Sequence, residues 1–391
     1  MSMDMQLVEL CRELIRRPSV SGEERAAAEF LRDTMEKLGY DQVEIDRYGS
    51  VLGRIHGKRP GPTVLMDGHI DTVPVEDPGA WRHDPFAAQI ENGRIYGRGA
   101  SDMKGSVASM VLAAARFAAG AGRDFAGTAA VSCSVHEECF EGISCRETAD
   151  RVKPDFVIIG EATSTTLKIG QRGRAEVVVE SKGVSCHSSN PDKGINAVYH
   201  MMALVEEIRK IVPPEHPMLG KGILELTDIH SWPYPGASVV PSLCRATFDR
   251  RTLAGETGES VLAPLREAIA RVKARLPELD ARAYLARDSA PCWTGEAIEA
   301  VRFFPAWTLE EDHPLVQKAL AGLRGAGIEA ELSHFAFCTN GSSFCGERGI
   351  PTVGFGPSLE SLAHVVDEYI EIAQLEDSCR GFQGILREVL R

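Results

Sequence analysis

Apolar residues near the start of the chain recur at helical spacing, at Val8, Cys11, Leu14 and Ile15, and Pro18 closes that run. Ser21-Gly22-Glu23-Glu24 then predicts the cap and first turn of a second helix ending at Leu38, with Gly39 as its stop. Short apolar runs at 43–46, 51–56 and 63–67, bounded by Gly and Pro, predict strands. An Ala-rich helix over 104–119 and continuous β-like runs at 127–135 and 156–160 follow. Strands alternating with helices predict an α/β domain with a largely parallel, buried sheet.

The pattern changes near Arg174. Strands at 175–181, 223–229, 239–249 and 279–286 alternate with helices at 196–211 and 258–276. This βαββαβ order is a self-contained α+β unit. After Pro291 the α/β pattern returns, with a helix at 315–326, a strand at 352–355 and a last helix over about 367–390. The reading is a catalytic domain in two parts, 1–173 and 291–391, with an inserted domain over 174–290.

The 391 residues and 43% apolar content exclude a coiled coil, collagen or a largely disordered chain. A formal charge of −13 argues against nucleic acid as partner, because phosphate binding needs a basic face. No apolar run reaches the roughly 18 residues of a membrane span, and the first ten residues do not read as a secretory signal. Ten cysteines without paired short spacing indicate reduced thiols in a cytoplasm. Cys133, Cys139 and Cys145 read as core thiols.

The chemistry gathers where apolar strands end. His69 and Asp71, two apart on an extended chain, turn to one side, so the carboxylate is placed to fix the imidazole tautomer. Gly97-Arg98-Gly99 turns the chain tightly before a helix. It resembles a nucleotide-binding loop, except that Asp102 stands where the third glycine belongs. A carboxylate there can bridge two cations. Glu137 and Glu138 are adjacent acids that would repel unless one binds a cation and the other acts as a base. Glu161 follows another apolar strand, and His364 precedes the last helix. In open α/β sheets, sites form at the carboxyl ends of strands.

These motifs, Gly68-His69-x-Asp71, Gly97-Arg98-Gly99-x-x-Asp102-x-Lys104-Gly105, Glu137-Glu138, Gly160-Glu161 and Ala363-His364-x-x-Asp367-Glu368, resemble the two-zinc amidohydrolases and exopeptidases. That family includes acetylornithine deacetylase, succinyl-diaminopimelate desuccinylase, aminoacylase-1 and glutamate carboxypeptidase. The likeness spans nearly the whole chain and is nearest to a hydrolase branch linked to selenium metabolism. It implies a zinc-exopeptidase-like catalytic domain with a mainly parallel sheet, and an inserted α+β lid that dimerises. It implies two zinc ions per subunit, with cobalt or manganese as substitutes. Asp102 would bridge them, His69 and Glu161 would complete one, and Glu138 and His364 the other. Glu137 would be the general base and Asp71 would orient His69. Gly183-x-x-x-His187 matches the stretch whose His reaches a partner subunit's active site, and Arg251 would grip a substrate carboxylate. Asn340, Gly341 and Ser342 fall in the family's late Gly-rich loop on the substrate side.

Ser238 and Ser343 depart from the family's usual Asn and Asp, which leaves the familiar substrates open. The implied activity is hydrolysis of a C–N amide bond in a small N-acyl or N-carbamoyl amino acid with a free carboxylate. A metallo-carboxypeptidase or dipeptidase acting on short peptides is the alternative. The expected protein is a cytoplasmic homodimer without nucleic-acid or membrane partners. The complete ligand set argues against a non-catalytic regulator, and the missing third glycine against a nucleotide-dependent oxidoreductase.

Overall fold

The computed structural model describes residues 3–391 and divides into two compact units. One comprises the chain up to Gln171, Ser289–Glu299 and Trp307–Arg391. The other comprises Arg172–Asp288 and Ala300–Ala306.

The first unit is built on a nine-stranded sheet. At its centre, Arg59–His69 lies between Ala126–Ser134 and Phe156–Ile159, parallel to both, and Phe156–Ile159 also pairs in parallel with Thr352–Gly354. These strands are apolar on both faces, with Val64, Leu65, Met66, Val157 and Ile158 fully buried, as a sheet covered on both sides requires. The mainly parallel centre is as expected, and the flanks add antiparallel pairs. Val51–His56 pairs antiparallel with Ala126–Ser134, and Leu167–Gln171 runs antiparallel to both Thr352–Gly354 and Trp307–Thr308.

The helix Gly105–Gly120 is buried nearly all round, from Gly105 to Ala114, because its small side chains let elements close on every side. Gly68 and Gly160 sit where strand meets this helix. A Cβ on Gly68 would come within 2.6 Å of the Met103 and Met110 methyls, and one on Gly160 within 2.7 Å of the Met110 sulfur. A side chain at either position would have to displace these packed methionines.

Two expectations shift. Arg25–Lys37 is helical, but Ser21 does not cap it; its hydroxyl donates to Asp71 Oδ2 at 2.7 Å. The last helix spans Ile372–Val389 rather than starting near 367, because Tyr369–Glu371 pairs antiparallel with Arg94–Tyr96. Left-handed backbone at His364 and Asp367, φ +63° and +56°, holds the preceding segment as a turn.

The second unit is an antiparallel sheet in the order Ile223–Trp232, Leu243–Thr252, Gly173–Lys182, Asp280–Leu285. Gly173–Lys182 alternates buried and part-exposed residues over most of its length. Val177, Val179 and Phe248 form one core with Met201 and Leu204 of Ala197–Ile208 and Leu265 and Val272 of Gly258–Arg275. His200, on Ala197–Ile208, is buried beside this core.

Candidate metal centre

Three neighbouring parallel strands deliver the first donors. His69 is the last residue of Arg59–His69 and is 1% exposed. Glu137 and Glu138 follow Ala126–Ser134, and Glu161 follows Phe156–Ile159. His69 Nε2 lies 2.9 Å from Asp102 Oδ1, 3.5 Å from Glu161 Oε1 and 4.0 Å from Glu137 Oε2. His364 Nε2 lies 2.9 Å from Glu138 Oε2 and 3.2 Å from Asp102 Oδ2. Asp102 therefore offers one carboxylate oxygen to each imidazole. It can do so because its backbone is non-helical, φ −124° and ψ 94°, just before the helix Gly105–Gly120.

Asp71 touches His69 differently from the sequence expectation. His69 Nδ1 lies 2.9 Å from the main-chain carbonyl of Asp71, and the carboxylate is farther, at 3.6 Å. That carboxylate instead accepts the main-chain N–H groups of Glu137 at 3.0 Å and Glu138 at 3.1 Å. Asp71 thus fixes the imidazole with its backbone and the paired acids with its side chain.

The electrostatics are those of a crowded acidic pocket. Burial pushes Glu137 well above the usual carboxylate range, and the charges of Glu161, Glu138 and Glu141 add to it. Burial and Asp102 raise Glu161 to about 8. Burial also favours the neutral form of Asp102, but hydrogen bonds to His364 and His69 overcome it and hold the carboxyl low. The same contacts from Asp102 and Glu138 raise His364 to about 10. Glu137 Oε1 and Glu138 Oε1 are buried without a hydrogen-bond partner.

Donors from His69, Glu137 and Glu161, and from His69, Asp102 and Glu138, gather within 4.8 Å of one another. Buried carboxylates with orphaned oxygens are costly unless a cation neutralises them. Imidazole nitrogen with carboxylate oxygen suits a borderline divalent ion such as zinc. The residues present fit a divalent pair.

The late Gly-rich loop packs beneath this pocket. Asn340 Nδ2 donates to Asp67 Oδ2 at 2.9 Å and Ser134 Oγ at 2.8 Å, and its Oδ1 accepts from Gly142 N at 2.7 Å. Gly341 packs where a Cβ would come within 2.6 Å of Trp307 Nε1, and Ser342 Oγ lies 3.5 Å from Cys338 Sγ. Asp67 itself carries no signal in the sequence, since no short spacing joins it to Asn340. His187 and Arg251 belong to the second unit. His187 is exposed, with Nδ1 accepting from Ser189 N at 3.1 Å, and Arg251 Nε lies 2.9 Å from Asp249 Oδ1. All ten cysteines are free; Cys133 and Cys145 are core thiols as expected, whereas Cys139 is exposed.

A family model described as peptidase family M20/M25/M40 matches residues 65–388, which takes in every one of these donors. The chain belongs to that family. Membership makes it a hydrolase of the metallopeptidase and amidohydrolase type. Among M20 relatives, the uncharacterised protein YgeY of Escherichia coli is 35% identical over 363 residues, covering 91% of this chain and 88% of its own. Succinyl-diaminopimelate desuccinylase of Cereibacter sphaeroides is 29% identical over 400 residues, covering 99% of both chains. Among solved structures, aminopeptidase PepT of Bacillus cereus superposes with a TM-score of 0.75 at 18% identity, covering 99% of both chains. YxeP of Bacillus subtilis, described as a dinuclear metal-binding peptidase of family M20, gives 0.74 at 15% identity over 100% of this chain and 99% of its own. Among the described residues, no helix is long and apolar enough to cross a membrane.

Proposed function

We propose that this M20 protein is a zinc-dependent hydrolase that cleaves the C–N amide bond of a small N-acyl or N-carbamoyl amino acid. The observation that carries the reading is Glu137: a buried acid with an unpartnered oxygen, 4.0 Å from the imidazole of a two-histidine, three-carboxylate cluster. His69, Asp102 and Glu161 would hold one ion, and Asp102, Glu138 and His364 the other. Such a pair acidifies water and stabilises negative charge developing on a carbonyl oxygen.

The chain's own groups then carry the protons. Glu137, raised by burial, takes a proton from the attacking water as its oxygen adds to the carbonyl carbon. As the C–N bond breaks, Glu137 returns that proton to the leaving nitrogen, giving a carboxylate and a free amine. Asp71 keeps Glu137 aimed through the amide N–H. His187 from a partner subunit would donate to the oxyanion, and Arg251 would bind the substrate carboxylate. In this reading the protein is a cytoplasmic homodimer joined through the second unit.

A carboxypeptidase or dipeptidase reading uses the same pocket, and the names of the family relatives include both chemistries. A panel of N-acyl amino acids, N-carbamoyl amino acids and dipeptides, presented to the zinc- or cobalt-loaded protein and read by released amine, separates them. Release from dipeptides alone favours the peptidase. Silence across the whole panel, with both ions bound, rejects the proposed activity.

A further inference from the structure

Glu368 lies four residues beyond His364 and is fully buried. Its Oε1 accepts from the main-chain N–H groups of Ser101 at 2.8 Å and Asp102 at 3.0 Å. Its Oε2 accepts from Gly99 N at 3.1 Å and from Arg98 Nη1 at 2.7 Å. The carbonyl of Glu368 accepts from Gly97 N at 2.9 Å, and Arg98 Nη1 also reaches the Val365 carbonyl at 3.4 Å. Three nearby amides thus converge on one carboxylate. Backbone concavities of this kind elsewhere cradle phosphate. Gly99, at φ +82°, supplies the left-handed step that turns them inward. The loop that resembles a nucleotide-binding stretch therefore has its anion seat filled by a side chain of the same protein.

The two segments joined here each carry a candidate metal ligand. Asp102 has no helical backbone to set its direction, and His364 sits on an exposed left-handed turn. Only if both turns keep their places can Asp102 meet His69 at 2.9 Å and His364 at 3.2 Å. A further buried acid beside this cluster is electrostatically unfavourable on its own, and Arg98 with the three amides offsets that cost, so the charge and the two turns are held together.

We propose that Glu368 is a positioning residue that locks the Asp102 turn to the His364 turn and so presets the spacing of the metal-ion pair. The proposal rests on the two-metal reading above. The competing explanation is that the Arg98–Glu368 pair only stabilises the fold.

Glu368→Gln preserves the size of the side chain but points an amide group at the N–H donors. Glu368→Asp keeps the charge and retracts it by one methylene. Both are titrated with Co2+ alone, by calorimetry and by visible absorption, beside the wild-type chain. Wild type is expected to take two ions. The Gln variant is expected to bind at least one of them roughly 10–100-fold more weakly, the usual cost of losing an outer-shell partner, with a shifted Co2+ absorption band. The Asp variant should fall between. If Glu368→Gln does not fold, the same titration of Glu368→Asp decides. Wild-type affinity and an unchanged band in the folded variant, even with lowered thermal stability, overturn the proposal in favour of the fold-stability explanation. A wild-type chain that binds no pair of ions overturns the two-metal reading instead.

Discussion

Replacing Glu137 with Gln tests the division of labour inside the pocket. The substitution keeps the shape and leaves the main-chain N–H on Asp71 Oδ1 at 3.0 Å. Glu137 approaches His69 no closer than 4.0 Å, and one of its oxygens is unpartnered, whereas Asp102, Glu138 and Glu161 lie 2.9–3.5 Å from an imidazole. If it acts as the proposed base, Glu137 lowers the barrier without holding an ion. General-base catalysis is worth about 10²–10⁴ in rate, or about 3–5 kcal/mol. Turnover of Glu137→Gln should fall by at least that factor, while calorimetry finds two ions bound within about threefold of wild-type affinity, well inside 1 kcal/mol. The assay pairs released-amine kinetics with metal titration on the same preparation. Loss of an ion would make Glu137 a ligand with His69 and Glu161, a grouping the geometry also allows. Retained turnover would remove it as the base.

Both imidazoles are held protonated by their carboxylate neighbours, and a ligating imidazole must be neutral. Metal loading at neutral pH should therefore release protons, and affinity should fall as pH falls; calorimetry in buffers of different ionisation heat measures the release, and its absence would take the histidines out of the ligand set. Mixing His187→Ala with Glu137→Ala should restore activity to about one quarter of the wild-type sites under random exchange in a twofold dimer; verified exchange without recovery would refute a shared site. Asp46 is raised from 3.8 to about 6 by burial, which corresponds to about 3 kcal/mol. Its folded value exceeds the unfolded one, so its contribution to stability is intact below the unfolded value and lost as pH rises through about 6. Only Oδ1 accepts hydrogen bonds, from Tyr48, Gly49 and Ser50, so Asp46→Asn keeps all three. Urea unfolding should show the variant gaining on wild type between acid and alkaline pH by up to about 3 kcal/mol; a pH-independent difference would contradict the assignment.

Much of this arrangement was legible in the chain because parallel strands announce themselves. Val64-Leu65-Met66 and Val157-Ile158-Ile159 are unbroken apolar runs, and the polar residues just beyond them stand out against that background. What stayed hidden has a common cause: contacts between side chain and main chain bear no pattern of residue types. That the Asp71 carboxylate serves the amides of Glu137 and Glu138 rather than the His69 ring depends on loop geometry, as does the use of Ser21 on Asp71 instead of as a helix cap. The late start of the last helix escaped for a related reason. The pairing of Tyr369–Glu371 with Arg94–Tyr96 overrides a helical periodicity that reads straight through it.

Because His69, the Glu137–Glu138 pair and Glu161 hang from three adjacent strands, interstrand hydrogen bonding acts as their ruler. Neighbouring strands repeat at about 4.8 Å, a pitch that neither loop insertion nor surface drift alters. The spacing of these donors is therefore set by the sheet itself, whereas His364 and Asp102, carried on turns, have no such ruler.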